Sequence, residues 1–503
     1  MKNLAQKNIL ILGLGASGLA LARWCVRCGA QVTVADTRAV PPQLAALTGL
    51  ASARFVHAAM DEELLALGAF DRVLKSPGLS PQSVAAVMAA AQARGLVCGS
   101  ELSLFAQALA DLKEDRAYAP QVIAITGTNG KTTVTALTGQ LVQRAGRSVA
   151  VAGNIGPTLL DTLAEKLNGA PGEDGLPTLP EVWVLELSSF QLDGVQGFEP
   201  TVATVLNISQ DHLDWHQTLP AYVAAKAHVY GRSGLMLLNR DDPQVMAALP
   251  AMVKGKPLRP YLTFGTDAPT QPGDYGIETA NGMAWLVRAA EADETIKRRK
   301  AEEVVLHIQR LMPLQALRIQ GRHNAANALA ALGLTVAAGC TLAPMLHGLR
   351  DYRGEPHRVE SVAVLNEVEY FDDSKGTNVG ATVAALAGLG ADRKLVLILG
   401  GEGKGQDFSP LLEPVSRYAR AVVLIGRDAP LIKAALAGSQ ATLWEATTMD
   451  EAVTVAAAQA RPGDAVLMSP ACASFDMFDN YEHRAHAFCD AVQGLAHDQG
   501  AVL

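Results

Sequence analysis

The segment Gln121–Thr133, QVIAITGTNGKTT, constrains this chain more than any other. Its apolar run (Val122, Ile123, Ala124, Ile125) reads as a buried strand, and a Gly-rich turn follows. After Lys131-Thr132-Thr133, apolar residues recur at helical spacing (Val134, Leu137, Leu141, Val142). Strand, tight loop and helix in that order belong to a parallel α/β layer. Within the loop, Gly127, Thr128, Asn129 and Gly130 are small enough for backbone N–H groups to close around phosphate oxygens. The helix N-terminus adds a partial positive charge, Lys131 a full one, and the Thr132 hydroxyl can reach a magnesium ion. ATP is therefore the expected energy source. Ile125 stands where the strict G-x-x-x-x-G-K-[ST] pattern has its first Gly, so T-G-T-N-G-K-T-T is a shorter variant.

At 503 residues the chain has room for three or four domains and several buried cores. Apolar residues make up 49% and charged residues 18%, the balance of an ordinary globular protein. The formal net charge of −8 argues against a nucleic-acid surface. No stretch approaches the roughly 20 apolar residues of a membrane span. The N-terminus enters a strand pattern almost at once, so no signal peptide is expected. Cys25, Cys28, Cys98, Cys340, Cys472 and Cys489 are too few for a disulfide framework in so long a chain. Cys25 and Cys28 form a C-x-x-C inside a helical pattern with no second pair nearby, which favours packing over redox or zinc. A reducing cytoplasm fits this usage.

Strand signals alternate with helical stretches throughout, in three blocks. The first, residues 1–98, has strands at Asn8–Gly13, Gln31–Asp36 and Arg72–Lys75. The second, 99–354, opens with a helix through Leu102–Leu109 and a polar spacer, Asp111–Pro120. The phosphate-loop strand follows, then strands at Val182–Leu187, Val202–Ile208 and Leu235–Asn239. The third, 355–503, has strands at Tyr370–Asp373, Lys394–Gly400, Ala421–Gly426 and Ala465–Ser469. Asn168–Pro180, rich in Gly and Pro, and the long polar Thr266–Glu303 read as surface insertions. The charge run Lys297-Arg298-Arg299-Lys300 in the latter reads as a solvated face.

In the first block, Gly13-Leu14-Gly15-Ala16-Ser17-Gly18 matches G-x-G-x-x-G, and Asp36 ends the second strand. That is the spacing of a dinucleotide-binding unit, with the acid on a ribose hydroxyl. Three readings stay open: NAD, another nucleotide ligand, or close helix-on-sheet packing. In the second block, Glu186 ends an apolar strand, where open α/β sheets face their ligands, and offers the hard oxygen that magnesium prefers. Asp211, His212 and Asp214 cluster past the next strand, and His212 is a candidate metal or carboxylate contact. Lys226, on the helical pattern Ala221–Tyr230, reads by pattern alone as an exposed lysine. In the third block, Asp372–Asn378, Gly400–Gly405 and Ser469–Asp476 all follow strands and can line one cleft. There Lys375 and Lys404 can hold a carboxylate or a transferring phosphoryl group.

Taken together, T-G-T-N-G-K-T-T, L-E-L-S-S-F-Q-L, G-R-H-N-A-A-N-A-L-A-A-L, H-R-V-E, D-D-S-K-G-T-N, G-G-E-G-K-G-Q-D-F and S-P-A-C-A-S-F-D resemble the Mur ligases. These are ATP-dependent, amide-forming ligases of peptidoglycan precursor synthesis. The resemblance implies three consecutive α/β domains: an N-terminal Rossmann-like domain, a central P-loop ATPase-like domain with a parallel sheet, and a C-terminal Rossmann-like domain. The string D-S-K-G-T-N looks like the branch that joins D-glutamate to UDP-N-acetylmuramoyl-L-alanine, acting as a cytoplasmic monomer. It implies UDP, not NAD, at Ala16, Ser17, Asp36, Thr37, Arg38 and Ser76, and the muramoyl-alanyl part at Asn154. It places Lys131 and Thr132 on ATP phosphates and metal, and Glu186 on a first Mg2+. By the same resemblance, His212 and Lys226 would shape a second Mg2+ site, with Lys226 carbamylated. Asn324, Asn327, Arg358 and Asp373 would hold the rest of ATP. Lys375, Thr377, Lys404, Ser474, Phe475 and Tyr481 would form the D-glutamate end. Tyr481, Glu402 and Gly376 depart from the residues familiar there (Phe, Asp and Ala). The implied chemistry is an acyl phosphate, formed from the alanyl carboxylate and opened by the D-glutamate amine, with release of ADP and phosphate.

Two other classes remain at this stage. An NAD-dependent oxidoreductase with a regulatory ATPase block would bind nicotinamide in the first block. A nucleotide switch would turn over ATP slowly and ignore amino acids. The strand-end Lys and Ser clusters of the third block count against both.

Overall fold

The computed structural model describes residues 2–499 except 172–174, 255, 293–304, 320 and 392. The run Lys297–Lys300 lies outside the described residues. Among the described residues three large sheets follow one another along the chain, as the α/β reading anticipates, with a separate two-stranded pair, Met252–Val253 and Lys256–Pro257.

The first sheet has the order Ala53–His57, Gln31–Asp36, Asn8–Leu12, Arg72–Lys75, Val97–Ser100, all parallel. Asn8–Leu12 is buried on both faces beyond its first residue, which is why it reads as an unbroken apolar run. Strand order reverses at Asn8–Leu12, so a crevice opens past its carboxyl end, where Gly13–Gly18 turns into the helix Ala16–Arg27. A Cβ on Gly18 would lie 2.1 Å from the Gly13 carbonyl oxygen. Gly18→Ala is therefore expected to cost about 2 kcal/mol or more in urea unfolding, since helix and loop must part. The strand Val97–Ser100 runs across the boundary expected after residue 98.

The central sheet has nine strands, in the order Leu306–Pro313, Met283–Glu291, Tyr275–Ala280, Tyr261–Phe264, Leu235–Asn239, Val202–Val205, Gln121–Thr126, Val182–Glu186, Val149–Gly153. The strands from Val149 to Phe264 are parallel, and the two pairings of Met283–Glu291, with Tyr275–Ala280 and with Leu306–Pro313, are antiparallel. The described part of Thr266–Glu303 is thus no loose insertion: Tyr275–Ala280 and Met283–Glu291 form a hairpin that extends the sheet, and Tyr275 and Leu286 are buried in the core. The expected spacer also changes. The helix runs Glu101–Arg116, because Lys113, Glu114, Asp115 and Arg116 continue it on a solvated face. Helices Lys131–Arg144 and Arg322–Ala337 share one apolar cluster, through Val134, Leu137 and Leu141 with Ala328, Leu329 and Leu332.

The third sheet has the order Glu360–Leu365, Val368–Asp372, Ala465–Met468, Leu395–Gly400, Ala419–Ile425, Thr442–Glu445. Only its first pairing is antiparallel. Cys25 is buried in the helix Ala16–Arg27, and burial pushes its thiol up to about 12, as packing requires. Among the described residues no helix is long and apolar enough to cross a membrane.

Candidate active site

The loop Gly127–Thr133 is held open from below and from the side. Gly127 has φ +154° and Gly130 φ +80°; a Cβ on Gly130 would meet the Asn327 side chain at 2.8 Å. The Asn129 N–H donates to Asn207 Oδ1 at 2.9 Å, and Asn207 Nδ2 donates back to the Asn129 carbonyl at 3.1 Å. The Thr128 hydroxyl accepts from the Ser209 N–H at 3.0 Å and lies 3.1 Å from the Tyr222 hydroxyl. Lys131 Nζ folds back onto the Gly127 and Thr128 carbonyls at 2.9 and 2.8 Å. Burial pushes its pKa down, while Glu186 and Asp211 oppose the shift. An anion at the loop would draw that ammonium off two neutral carbonyls.

Glu186 ends its strand fully buried. Asn154 Nδ2 donates to its Oε1 at 2.6 Å, and its Oε2 has no partner. A buried carboxylate oxygen without a donor fits a hard cation, so the residues present suit magnesium. A Cβ on Gly153 would lie 2.3 Å from the Glu186 carbonyl, so Gly keeps the Asn154 loop on that strand.

Lys226 departs from its pattern-based reading: it is 1% exposed, beneath the loop rather than on the surface. Its Nζ donates to the Gly127 carbonyl at 2.8 Å and lies 4.6 Å from the centre of the Tyr222 ring. Burial first, then Lys131, holds its pKa well below the usual lysine range. His212 takes a left-handed backbone (φ 53°), beside Asp211 at 3.6 Å and Phe190 at 4.7 Å. Burial lowers its pKa, against the pull of Asp211.

The third block reaches this site directly. Arg358 donates to the Thr132 hydroxyl at 2.7 Å, and Asn129 and Asn378 exchange amide hydrogen bonds at 3.3 and 3.1 Å. One cleft is lined by Asn129, Gly130, Asn324, Asn327, Arg358 and Asp373. A second, sharing Arg358 and Lys375 with the first, is lined by Lys131, Thr132, Asn154, Glu186 and Tyr481. A third brings His212 to Thr377 and Lys404. Asp373 accepts from Ser469 at 2.7 Å, and burial raises it to about 7. Lys375 Nζ sits 3.6 Å from the centre of the Tyr481 ring, and burial, then Arg358, lowers it to about 8. Lys404 lies 5.5 Å from the centre of the Phe475 ring. Phe475 is 64% exposed, whereas Ser474 is buried with its hydroxyl unpartnered.

In the first block, Ala16 and Ser17 open the helix after the Gly loop, with Ser76 buried across the crevice. Asp36 Oδ1 accepts from Arg38 N and Nε, both at 2.9 Å, and Oδ2 from Leu14 N at 2.8 Å and an Arg38 terminal nitrogen at 2.7 Å. The Arg38 hydrogen bonds hold its pKa down at about 2. A carboxylate offers about four acceptor positions, and all are filled. Asp36 therefore holds Arg38 and the Gly loop in place, with no acceptor left for a ribose diol; the NAD reading loses its main contact. Thr37 stands between Asp36 and Arg38, and its carbonyl lies 3.2 Å from the His57 ring.

Two residues carry more than their motifs disclosed. Arg484 is fully buried and donates to the Ser374 hydroxyl and carbonyl and to the Cys472 carbonyl, at 3.0, 2.8 and 3.0 Å. It ties the D-S-K loop to the S-P-A-C loop. An arginine on the apolar face Ala485, Phe488, Ala491, Val492 was the available signal. His357, the His of H-R-V-E, lies 2.6 Å from buried Asp372.

The chain resembles known proteins along its length. Residues 7–99 match the family model described as Mur ligase MurD-like, N-terminal domain; 125–335 match Mur ligase middle domain; 357–472 match Mur ligase, glutamate ligase domain. It is 66% identical over 506 residues to the UDP-N-acetylmuramoylalanine–D-glutamate ligase of Albidiferax ferrireducens, covering 100% of this chain and 99% of that one. The protein of the same name from a Polaromonas species is 59% identical over 594 residues, covering 100% of both. Among solved structures, MurF from Acinetobacter baumannii superposes with TM-score 0.55 at 18% identity, over 97% of this chain and 92% of that one. The UDP-N-acetylmuramate-alanine ligase MurC of Thermotoga maritima gives 0.53 at 19% identity, over 97% and 100%.

Proposed function

The chain belongs to the Mur ligase family, and from that premise we propose that it joins D-glutamate to UDP-N-acetylmuramoyl-L-alanine, driven by ATP, in peptidoglycan precursor synthesis. The observation that carries this reading is the meeting of Lys131 and Thr132 with Arg358 and Lys375 in one cleft, tied by the Thr132–Arg358 hydrogen bond. A phosphate-binding loop thereby faces the cations of a second block. The names of the relatives supply the amino acid.

The reading assigns residues 1–98 to the UDP end, 99–354 to ATP, and 355–503 to the amino acid and the rest of ATP. The first crevice, with Ala16, Ser17, Thr37, Arg38 and Ser76, receives UDP, and Asn154 steers the muramoyl-alanyl arm toward the phosphate loop. Gly127–Thr133 wraps the phosphates, Asn324 and Asn327 flank the base, and Arg358 and Asp373 hold the ribose and phosphate side. The alanyl carboxylate attacks the γ-phosphorus as its bond to ADP breaks. Lys131 shifts from the two loop carbonyls to the transferring oxygens. Lys375, Thr377, Lys404 and Ser474 hold D-glutamate, with Phe475 and Tyr481 as walls. Its amine attacks the acyl carbon, loses a proton, and inorganic phosphate leaves. Thr132, Glu186, His212 and a carbamylated Lys226 fit magnesium, which when bound supplies positive charge at the phosphates. Closure of the third block over the central one would keep water from the acyl phosphate. Such a substrate set fits a cytoplasmic enzyme.

Phosphate release with UDP-N-acetylmuramoyl-L-alanine across a panel of amino acids tests the assignment. D-glutamate is expected to exceed L-lysine and diaminopimelate by about 100-fold or more in kcat/KM, as a site built on paired polar contacts discriminates strongly. Activity with either of those, and not with D-glutamate, overturns it.

A further inference from the structure

Glu402, in the loop Gly400–Gly405, lines the cleft that brings His212 to Thr377 and Lys404. Asp211 and Asp214 line it as well, so three acidic residues stand there beside Lys404. Asp211 has His212 next to it at 3.6 Å. An amino acid with a side-chain carboxylate carries net negative charge, and an uncompensated acid in this cleft repels it.

Arg427, just past the strand Ala419–Ile425, answers Glu402. A terminal nitrogen of its guanidinium lies 3.0 Å from Glu402 Oε1, and its Nε lies 3.7 Å from Asp428 Oδ1. This ion pair is not what ties the surrounding loops together. The Glu402 N–H donates to the Ala473 carbonyl, and the Ala473 N–H donates back to the Glu402 carbonyl, both at 2.9 Å. The Gly403 N–H donates to Asp428 Oδ2 at 2.6 Å, and the Asp428 N–H to the Gly401 carbonyl at 3.0 Å. Arg427 meets Asp476 through its backbone N–H, at 2.7 Å. Each tie at positions 402 and 427 is therefore made by the backbone. The Arg427 side chain is 58% exposed, where an ion pair adds little to stability. What the two side chains set is the charge at the cleft.

We infer that Arg427 is a specificity-determining residue: by neutralising Glu402 it lets this cleft accept an amino acid that bears a side-chain carboxylate. The inference rests on the reading that D-glutamate enters here. Lys404 attracts the incoming carboxylate, and Arg427 keeps Glu402 from cancelling that attraction. The guanidinium does this through Glu402, without touching the substrate.

Steady-state phosphate release by the full-length enzyme gives the KM for each of the three substrates. In R427A the KM for D-glutamate is expected to rise about fivefold or more, as for a unit charge left bare several ångströms away. The KM values for ATP and for UDP-N-acetylmuramoyl-L-alanine are expected to stay within about twofold. R427K keeps the charge and is expected to recover most of the loss. E402Q removes the charge that Arg427 answers, so its KM for D-glutamate is expected at or below the wild-type value. The double variant E402Q/R427A is expected within about twofold of wild type. A pair that only braced the loops would make E402Q and R427A fail alike. No change in R427A, a parallel rise of all three KM values, or a rise in E402Q to match R427A would overturn the inference. So would a double variant no better than R427A. Wild-type enzyme that fails to turn over D-glutamate would overturn the underlying reading; wild-type turnover with an indifferent R427A would overturn this inference alone.

Discussion

Replacing Lys226 with alanine is expected to lower the rate of phosphate release by about a thousandfold or more, the scale of losing a principal electrostatic group. Short carboxylic acids such as formate or acetate are then expected to restore part of it. Lys226 is 1% exposed and bonded to a loop carbonyl, with a second cation, Lys131, bearing on it. Both conditions disfavour the ammonium form, and the pKa falls. A lysine whose ammonium form is disfavoured is a better nucleophile toward carbon dioxide, and a carbamate formed there would carry a negative charge. That charge would suit the cation-rich surroundings and supply the oxygen ligands that an amine cannot. A free carboxylate diffusing into the space left by Lys226→Ala would mimic the carbamate. An unaffected variant, or one that no carboxylic acid rescues, would speak against carbamylation. Stability gives an independent check, since the folded pKa lies below the unfolded one. Between those two values the unfolded chain binds the extra proton, so stability rises with pH. Lys226→Met should remove that slope in denaturant titrations.

Lys131→Met is expected to reduce kcat/KM for ATP by about 10³-fold or more, with no loss of thermal stability. The two readouts separate because of the free enzyme's geometry. Lys131 rests on the carbonyls of Gly127 and Thr128, and burial disfavours its charge. Removing the ammonium deletes a desolvated cation from the folded state, while it deletes the charge that must meet the transferring phosphoryl group in the reaction. A parallel fall in stability and activity would mean that Lys131 serves the fold, and its assignment to phosphate transfer would fail.

Local chemistry was legible in the sequence, and long-range partnership was not. The phosphate loop could be read because strand, turn and helix are contiguous, and the loop's demands on Gly127 and Gly130 are met within a few residues. Glu186 could be read because a strand's end fixes where its last side chain stands. Lys226 could not: its helix gave no sign that the face would be buried under a loop a hundred residues earlier. The hairpin Tyr275–Glu291 was hidden because its residues do not alternate cleanly between buried and exposed faces, so no strand period shows. Arg484 escaped because a buried charge is recognisable only from its partners, and its partner Ser374 lies 110 residues away along the chain. The expected three-part α/β organisation held, because alternating strands and helices report class even where their ends shift.

The filled carboxylate of Asp36 bears on which sugars the first crevice can tell apart. Its four acceptor positions are taken by Leu14 and Arg38 before any ligand arrives. A deoxyribose analogue of the UDP substrate would therefore forfeit nothing at this residue. On the proposed assignment of UDP to this crevice, discrimination between ribo and deoxy forms would fall to other residues, and Asp36 would brace Arg38.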